Sequence, residues 1–255
     1  MEITSNKQTI LVVSDVHQDI ARLESILSKE NYDIVVSLGD WFDSRSRNTQ
    51  QDLINTCDFL KKWIFKPNFF TCIGNHDIQY LYSNPTTICS GYNREKDKII
   101  TKEFGSFMPA IRDKFLWYLW IDDFFCSHAG IHPHWLPPRQ EITKPALSQW
   151  LNEQIKFAEP ALINGGRHWL YGAGQGRGGS LRFGGLTWNC FESEFEPIAG
   201  LKQIVGHTSH HSIINHVEDG HLDLTEADNL DIDCNLNEYL TILNGKLKIN
   251  KLYEL

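Results

Sequence analysis

The chain has 255 residues, 41% of them hydrophobic and 22% charged, with a formal net charge of -8. That is the composition of a globular protein long enough to bury a core without disulfide or metal staples. The acidic balance excludes a general nucleic-acid or anionic-membrane binder, which needs a basic face, but not a small anionic substrate, because a bound cation reverses the local field.

In chain order, "TILVVSD" is a continuous apolar run, as expected of a strand covered on both faces. Ile20, Leu23, Ile26 and Leu27 follow at helical spacing, and "DIVVSLGD" repeats the strand pattern. Residues from about Asp52 to Trp63 read as an amphipathic helix with Leu53, Ile54, Cys57, Leu60 and Trp63 inward, and "FFTCIGNHD" as a third strand. Residues 83–107, with "YNREKDK" at their centre, read as an irregular surface excursion near the site. "FLWYLWIDDFFCSHAG" reads as a strand pair, and residues 172–185 as a glycine-rich segment carrying Arg177 and Arg182. The last stretch reads as strands: "QIVGHTS", "SIINHVED", "NLDIDCNL", "YLTILNG" and "KLKINKL", with a hairpin turn at Asn244-Gly245. Helices early and strands late imply a two-sheet core with helices outside. No repeat or linker is visible, so residues 1–255 are expected to form one domain.

Three strand ends carry the chemistry. Residues i and i+2 of an extended chain point to one side, so Asp15 and His17 can grip one ion; alone, Asp-x-His reads equally as a turn acid and a surface histidine. Gly39 permits a tight path that puts Asp40 at the tip of the second strand, and Asp43 three residues on reads also as a helix cap or turn acid. After the third strand, Asn75 offers an amide oxygen suited to a hard cation. His76 can be ligand, acid or base, and Asp77 reads as the cap of a helix through Leu81. Each cluster has a bland explanation, but three in succession at the carboxyl ends of strands, where open α/β sheets bind ligands, point to a metal and behind it a phosphate.

The series Asp-x-His, Gly-Asp-x-x-Asp, Gly-Asn-His-Asp resembles the signature of the calcineurin-like metallophosphoesterase family. "CSHAGIHP" and "IVGHTS" extend the resemblance with His128 and His207, so that it covers roughly Leu11 to His211. "GRGGSLRFGG" is similar to the glycine–arginine segment of the phosphoprotein phosphatase branch, which maps the phosphate-binding arginine to Arg177. "SHAG" and the "GNHD" ending are similar to the diadenosine tetraphosphatase group, and "FEPIAGLKQIVGHT" to small bacterial and phage-type members. One departure stands out: the branch usually has Arg directly after the second Asp of Gly-Asp-x-x-Asp. Here that residue is Ser44, with Arg45 and Arg47 just beyond it.

The resemblance implies an α/β (α+β) fold, a four-layer αββα sandwich of two mixed β-sheets flanked by helices. It implies a hydrolase with two divalent metal ions, Mn first and Fe or Zn as alternatives; mixed oxygen and nitrogen ligation suits these better than Ca. Asp15, His17 and Asp40 would hold one ion, and Asp40, Asn75, His128 and His207 the other, with attack by a metal-bridging hydroxide. His76 would protonate the leaving oxygen, Asp43 would hold His76, and Arg177 would clamp the phosphate. The expected activity is phosphomonoester hydrolysis of the serine/threonine protein phosphatase kind, on a phosphorylated small molecule, nucleotide or protein. The alternatives are a dinucleoside polyphosphate (Ap4A-type) hydrolase or phosphodiesterase using the same site, and an inactive scaffold, which the complete ligand set argues against.

The remaining histidines, His132, His134, His168, His210, His211, His216 and His221, read as surface or core residues, with lining of the pocket as the alternative for His132 and His134; Trp41, Trp135 and Trp188 read as core or rim packing, with stacking on a base or phenyl ring near the site as the alternative. The six cysteines include no CxxC pair, which argues against a structural zinc site. The opening "MEITSNKQTI" lacks the basic and apolar stretches of a signal peptide, and no apolar run is long enough to span a bilayer. A reducing cytoplasm with free thiols is the expected setting.

Overall fold

The continuous apolar runs become buried strands. A computed structural model describes residues 1–137, 142–216 and 228–252. The early strands are β1 (Glu2–Ile3), β2 (Ile10–Val13), β3 (Ile34–Ser37), β4 (Phe69–Cys72) and β5 (Phe115–Leu116). The hairpin β6 (Leu119–Ile121) and β7 (Phe124–Cys126) precedes β8 (Lys202–Val205), β9 (Ile214–Asn215), β10 (Asn229–Asp231), β11 (Glu238–Leu243) and β12 (Lys246–Lys251). One six-stranded sheet has the order β12-β11-β2-β3-β4-β5 and the other β1-β6-β7-β8-β10-β9. Both are mixed. β2 to β5 run parallel with β11 antiparallel beside β2; β6 and β7 are antiparallel, while β7, β8 and β10 run parallel.

Alternation along each strand builds the layers, since successive side chains take opposite faces. Val12, Val36, Cys72 and Leu240 of one sheet join Leu119, Ile121, Cys126, Ile204 and Leu230 of the other in a single apolar cluster. Leu11, Val13 and Val35 face the opposite way and pack with helix residues Leu23, Ile26, Leu53 and Leu60. The result is the expected pair of mixed sheets flanked by helices.

The helices are α1 (Ile20–Lys29), α2 (Gln50–Trp63), α3 (Asn75–Leu81), α4 (Arg94–Phe104), α5 (Met108–Arg112) and α6 (Lys144–Ile163). α1 buries Ile20, Leu23, Ile26 and Leu27 as its spacing predicts. α2 begins at Gln50 under a Thr49–Asp52 capping box. Its inner stripe is Leu53, Thr56, Cys57, Phe59 and Leu60, so Ile54 and Trp63 sit at the edge, half-buried, rather than inward. Residues 83–107 are not irregular throughout. Asn93 caps α4 by accepting from Glu95 N at 2.7 Å, and Ile100 and Phe104, four apart, bury one narrow stripe that the charges of "REKDK" conceal. The 20-residue α6 is a helix the sequence reading does not anticipate. Pro145 lies in its first turn, where no N–H is missed, and Leu147, Leu151, Ala158 and Leu162 face the core.

The Asn244-Gly245 turn has φ of 51° and 72°, the positive pair a type I′ hairpin requires. Residues 217–219 of "SIINHVED", and His221, lie outside the described residues. All six cysteines are free, and no helix among the described residues is long and apolar enough to cross a membrane.

Candidate metal centre

Asp15 follows β2, Asp40 follows β3, Asn75 opens α3 after β4, His128 follows β7, and His207 follows β8. The backbone is strained there. His17, Asp40, Asp43 and His207 have φ of 43°, 50°, 65° and 75°, a region that non-glycine residues enter at a cost. Two glycines make room for the carboxylates: a Cβ at Gly74 would strike the Asp40 carboxylate, and one at Gly206 that of Asp15.

Atoms that could hold a metal ion fall into two overlapping groups, Asp15, His17 and Asp40 in one and Asp40, His128 and His207 in the other, each within a 4.8 Å span. The shared group is Asp40, whose Oδ2 lies 3.9 Å from His17 Nε2 and 3.4 Å from His128 Nε2. Its Oδ1 accepts from His76 N at 3.0 Å. Asn75 Oδ1 lies 3.0 Å from His128 Nε2, which adds it to the second group. Asp15 turns Oδ2 to Ser14 Oγ and His207 N, leaving Oδ1 bare. His17 Nδ1 donates to Phe42 O and His128 Nδ1 to Leu38 O, both at 2.9 Å. A carbonyl only accepts, so both imidazoles carry their proton on Nδ1 and turn a lone pair inward.

Burial favours the neutral form of the three imidazoles. It lowers His17 against the pull of Asp15, and His128 to about 4; His207 is lowered by burial and by neighbouring His128. Burial, then the Asp15 and Asp77 charges, push the Asp40 carboxyl well above its ordinary value.

Asp77 caps α3, as its spacing predicts, and does more. Its carboxylate accepts from Gly74 N at 2.9 Å, Asp40 N at 2.9 Å and Trp41 N at 2.8 Å, so one side chain ties the Asp40 loop to the start of α3. Asp77→Ala would leave these backbone donors buried and unpaired at about 1–3 kcal/mol each. Urea denaturation is expected to show a loss of about 3 kcal/mol or more; a loss below about 1 kcal/mol would remove Asp77 from this role.

Beside the two groups sits a histidine–carboxylate pair, with His76 Nδ1 3.1 Å from Asp43 Oδ2. Asp43 is 6% exposed and also takes bonds from Gln79 Nε2, Tyr80 Oη at 2.7 Å and Lys96 Nζ at 2.8 Å. Burial alone would raise its carboxyl; hydrogen bonds from His76, Lys96 and Tyr80 outweigh burial and hold it below the usual carboxylate range. Gln18 Oε1 pins the loop by accepting from Asp43 N at 3.0 Å.

His17, Asp40, Asp43, Asn75, His76, Arg177 and His207 line one cavity of about 1230 Å³. Arg177 Nη2 donates to Thr208 Oγ1 at 2.9 Å. Arg45 lines the cavity, whereas Arg47 pairs with Asp19 at 3.0 Å. Trp41 is fully buried and bonds Thr71 Oγ1 at 2.9 Å, and Trp135 stacks on Trp169 at 4.9 Å, so both pack as expected. Trp188 instead lines the cavity, its ring 5.4 Å from His207, and His168 also reaches the wall. His132 stacks on Phe183 at 3.7 Å.

The family model for calcineurin-like phosphoesterases matches residues 8–231. The chain belongs to the calcineurin-like phosphoesterase family. It is therefore a hydrolase of phosphoester bonds. Comparison with curated proteins gives no match. Among solved structures, a cold-active protein-tyrosine phosphatase of a psychrophilic Shewanella species superposes with a TM-score of 0.59 at 17% identity, covering 98% of this chain and 79% of that one. A protein serine/threonine phosphatase of Saccharomyces cerevisiae superposes with a TM-score of 0.54 at 14% identity, covering 100% of this chain and 84% of that one. At these identities the likeness is one of fold.

Calcineurin-like phosphoesterases use a pair of divalent ions, and the donor set here fits such a pair. His128 Nε2 lies 3.0 Å from Asn75 Oδ1 and 3.4 Å from Asp40 Oδ2, three atoms that can each offer a lone pair to a cation. Asp15 Oδ1 and His207 Nε2 are buried without a hydrogen-bond partner among the described residues. Unpaired buried acceptors are costly, and a cation among them removes the cost. Lys96, Gln79, Tyr80 and Gln18 are site residues that sequence reasoning missed. Gln79 and Tyr80 follow "GNHD" at one helical turn from His76, a legible signal in retrospect; Lys96 had none.

Proposed function

We propose that this phosphoesterase is a phosphomonoesterase of the serine/threonine protein phosphatase kind, working in one domain with two divalent ions. Asp15, His17 and Asp40 would hold one ion and Asp40, Asn75, His128 and His207 the other. The observation that carries the reading is the pair of ligand groups sharing Asp40 Oδ2, with His76–Asp43 and Arg177 on the same cavity. Bound divalent ions supply Lewis-acid charge stabilisation and an activated water nucleophile. Manganese stands first, with iron or zinc as alternatives, and the six free thiols favour a reducing cytoplasm.

The chain's own groups do the rest. Asp43 takes His76 Nδ1, which aims the other ring nitrogen at the cavity to give the leaving oxygen its proton. Arg177, steadied by Thr208, offers its free N–H groups to the phosphate oxygens, where charge builds in phosphoryl transfer. Arg177→Ala is expected to cut kcat/KM roughly 10–100-fold, the worth of one charge-assisted bond. Arg47→Ala, which breaks only the pair with Asp19, should stay within about 2-fold. Equal effects of the two changes would contradict the clamp.

The cavity volume of about 1230 Å³, and Arg45 and Arg167 on its wall with no ion pair among the described residues, favour one second reading: a dinucleoside polyphosphate or a phosphodiester as substrate. Assays of p-nitrophenyl phosphate, its bis-ester and a dinucleoside tetraphosphate with manganese, iron and zinc separate the two. The monoester turning over fastest supports the proposal; turnover of none with any metal contradicts a phosphoesterase.

A further inference from the structure

Lys96 lies in α4, in the segment whose sequence named no role, yet it reaches the histidine–carboxylate pair. Its Nζ donates to Asp43 Oδ1 at 2.8 Å and to Gly91 O at 3.0 Å. Its side chain is 14% exposed and that of Asp43 1%. The next ion pair on the same helix, Lys98–Glu95, spans 3.9 Å at 76% and 83% exposure, the surface kind that contributes little. Lys96–Asp43 is of the other kind: removing Lys96 takes a charge-assisted bond from a buried carboxylate and leaves it to His76, Gln79 and Tyr80.

The donors on Asp43 divide by origin. His76, Gln79 and Tyr80 all belong to α3 and move with it. Lys96 comes from α4. It shares Oδ1 with Tyr80, which leaves Oδ2 to His76 and Gln79 and fixes the rotation of the carboxylate. Through Gly91, whose Cβ position would lie 2.9 Å from Asp43 Cβ, Lys96 also fastens the cavity wall of residues 86–91 to the same carboxylate. A four-carbon stem is ordered and nearly buried to make these bonds, against the rotamer entropy that a surface lysine keeps.

We infer that Lys96 is a positioning residue of this phosphoesterase: by cross-linking α4 to Asp43 it sets the carboxylate that aims His76 at the leaving oxygen. The inference rests on the proposed roles of His76 and Asp43. It distinguishes Lys96 from Arg177, which faces the phosphate itself.

The test compares phenyl phosphate, whose leaving group needs its proton, with p-nitrophenyl phosphate, whose leaving group scarcely does. In Lys96→Met, kcat for phenyl phosphate is expected to fall roughly 10–100-fold, as misaimed proton donation costs. For p-nitrophenyl phosphate the fall should stay within about 3-fold, with KM unchanged for both. The double variant Asp43→Asn, Lys96→Met removes both charges of the pair, so it keeps the test open should the single variant fail to fold. It should match Asp43→Asn alone. Equal losses on the two esters, no loss, or a raised KM with kcat intact would overturn the inference. So would a further loss of roughly 10-fold from Lys96→Met on the Asp43→Asn background. Parental protein inert towards both esters would overturn the phosphoesterase reading and this inference with it.

Discussion

Asp40→Asn is expected to empty the centre of divalent metal. Asn has nearly the shape of Asp and its amide oxygen can still accept from His76 N, which Asp40 Oδ1 now does at 3.0 Å. The backbone N–H of Asp40 keeps its bond to Asp77, so the loop and the fold survive. What is lost is the carboxylate oxygen Oδ2, which faces both His17 and His128, and with it the proposed ligand to each ion. Changes to groups that only orient ligands lower metal affinity about 10–100-fold; removing a shared ligand charge should exceed that for both ions. Elemental analysis of protein purified with manganese should find the parental chain loaded and the variant depleted, with turnover lost in parallel. A variant that still held a full pair of ions per chain would refute the bridging role.

His76→Asn should do the opposite. The His76 side chain belongs to neither ligand group, and the backbone N–H that serves Asp40 is kept, so metal content should stay near the parental level. Turnover of an ester with a poor leaving group should fall roughly 10²–10⁴-fold, the usual worth of a general acid, with KM little changed. Unchanged turnover of phenyl phosphate would remove His76 from the role, and loss of metal would make it a ligand.

Much of this site was legible because each piece lies in a short window at a strand end. Asp15 and His17, Asp40 and Asp43, and Asn75 and His76 follow three parallel neighbours, β2, β3 and β4. Parallel strands bring their carboxyl ends to one edge, so a linear series of motifs becomes a cluster. His128 and His207 come from the second sheet, and only a resemblance tied them to the first. What stayed hidden depends on packing across elements. Lys96 meets Asp43 over 53 residues of sequence, with no motif around either partner to link them. Asp77 reads as a cap in sequence, and only the folded loop shows that the same carboxylate holds Asp40 and Trp41. α4 was masked by its charges and α6 by Pro145 and Pro160, although a proline in the first turn breaks nothing.

Ser44 Oγ accepts from Arg47 N at 3.0 Å, a turn contact, and Arg47 is spent on Asp19. Arg45 alone of the two candidates reaches the cavity wall.

Crystals grown with manganese and measured for anomalous scattering test the central claim most directly. The predicted map has two strong peaks about 3.5–4 Å apart on either side of Asp40 Oδ2, one against Asp15 and His17, the other against Asn75, His128 and His207. A single peak, or peaks that leave His128 and His207 without a metal, would contradict the dinuclear centre on which the proposed chemistry depends.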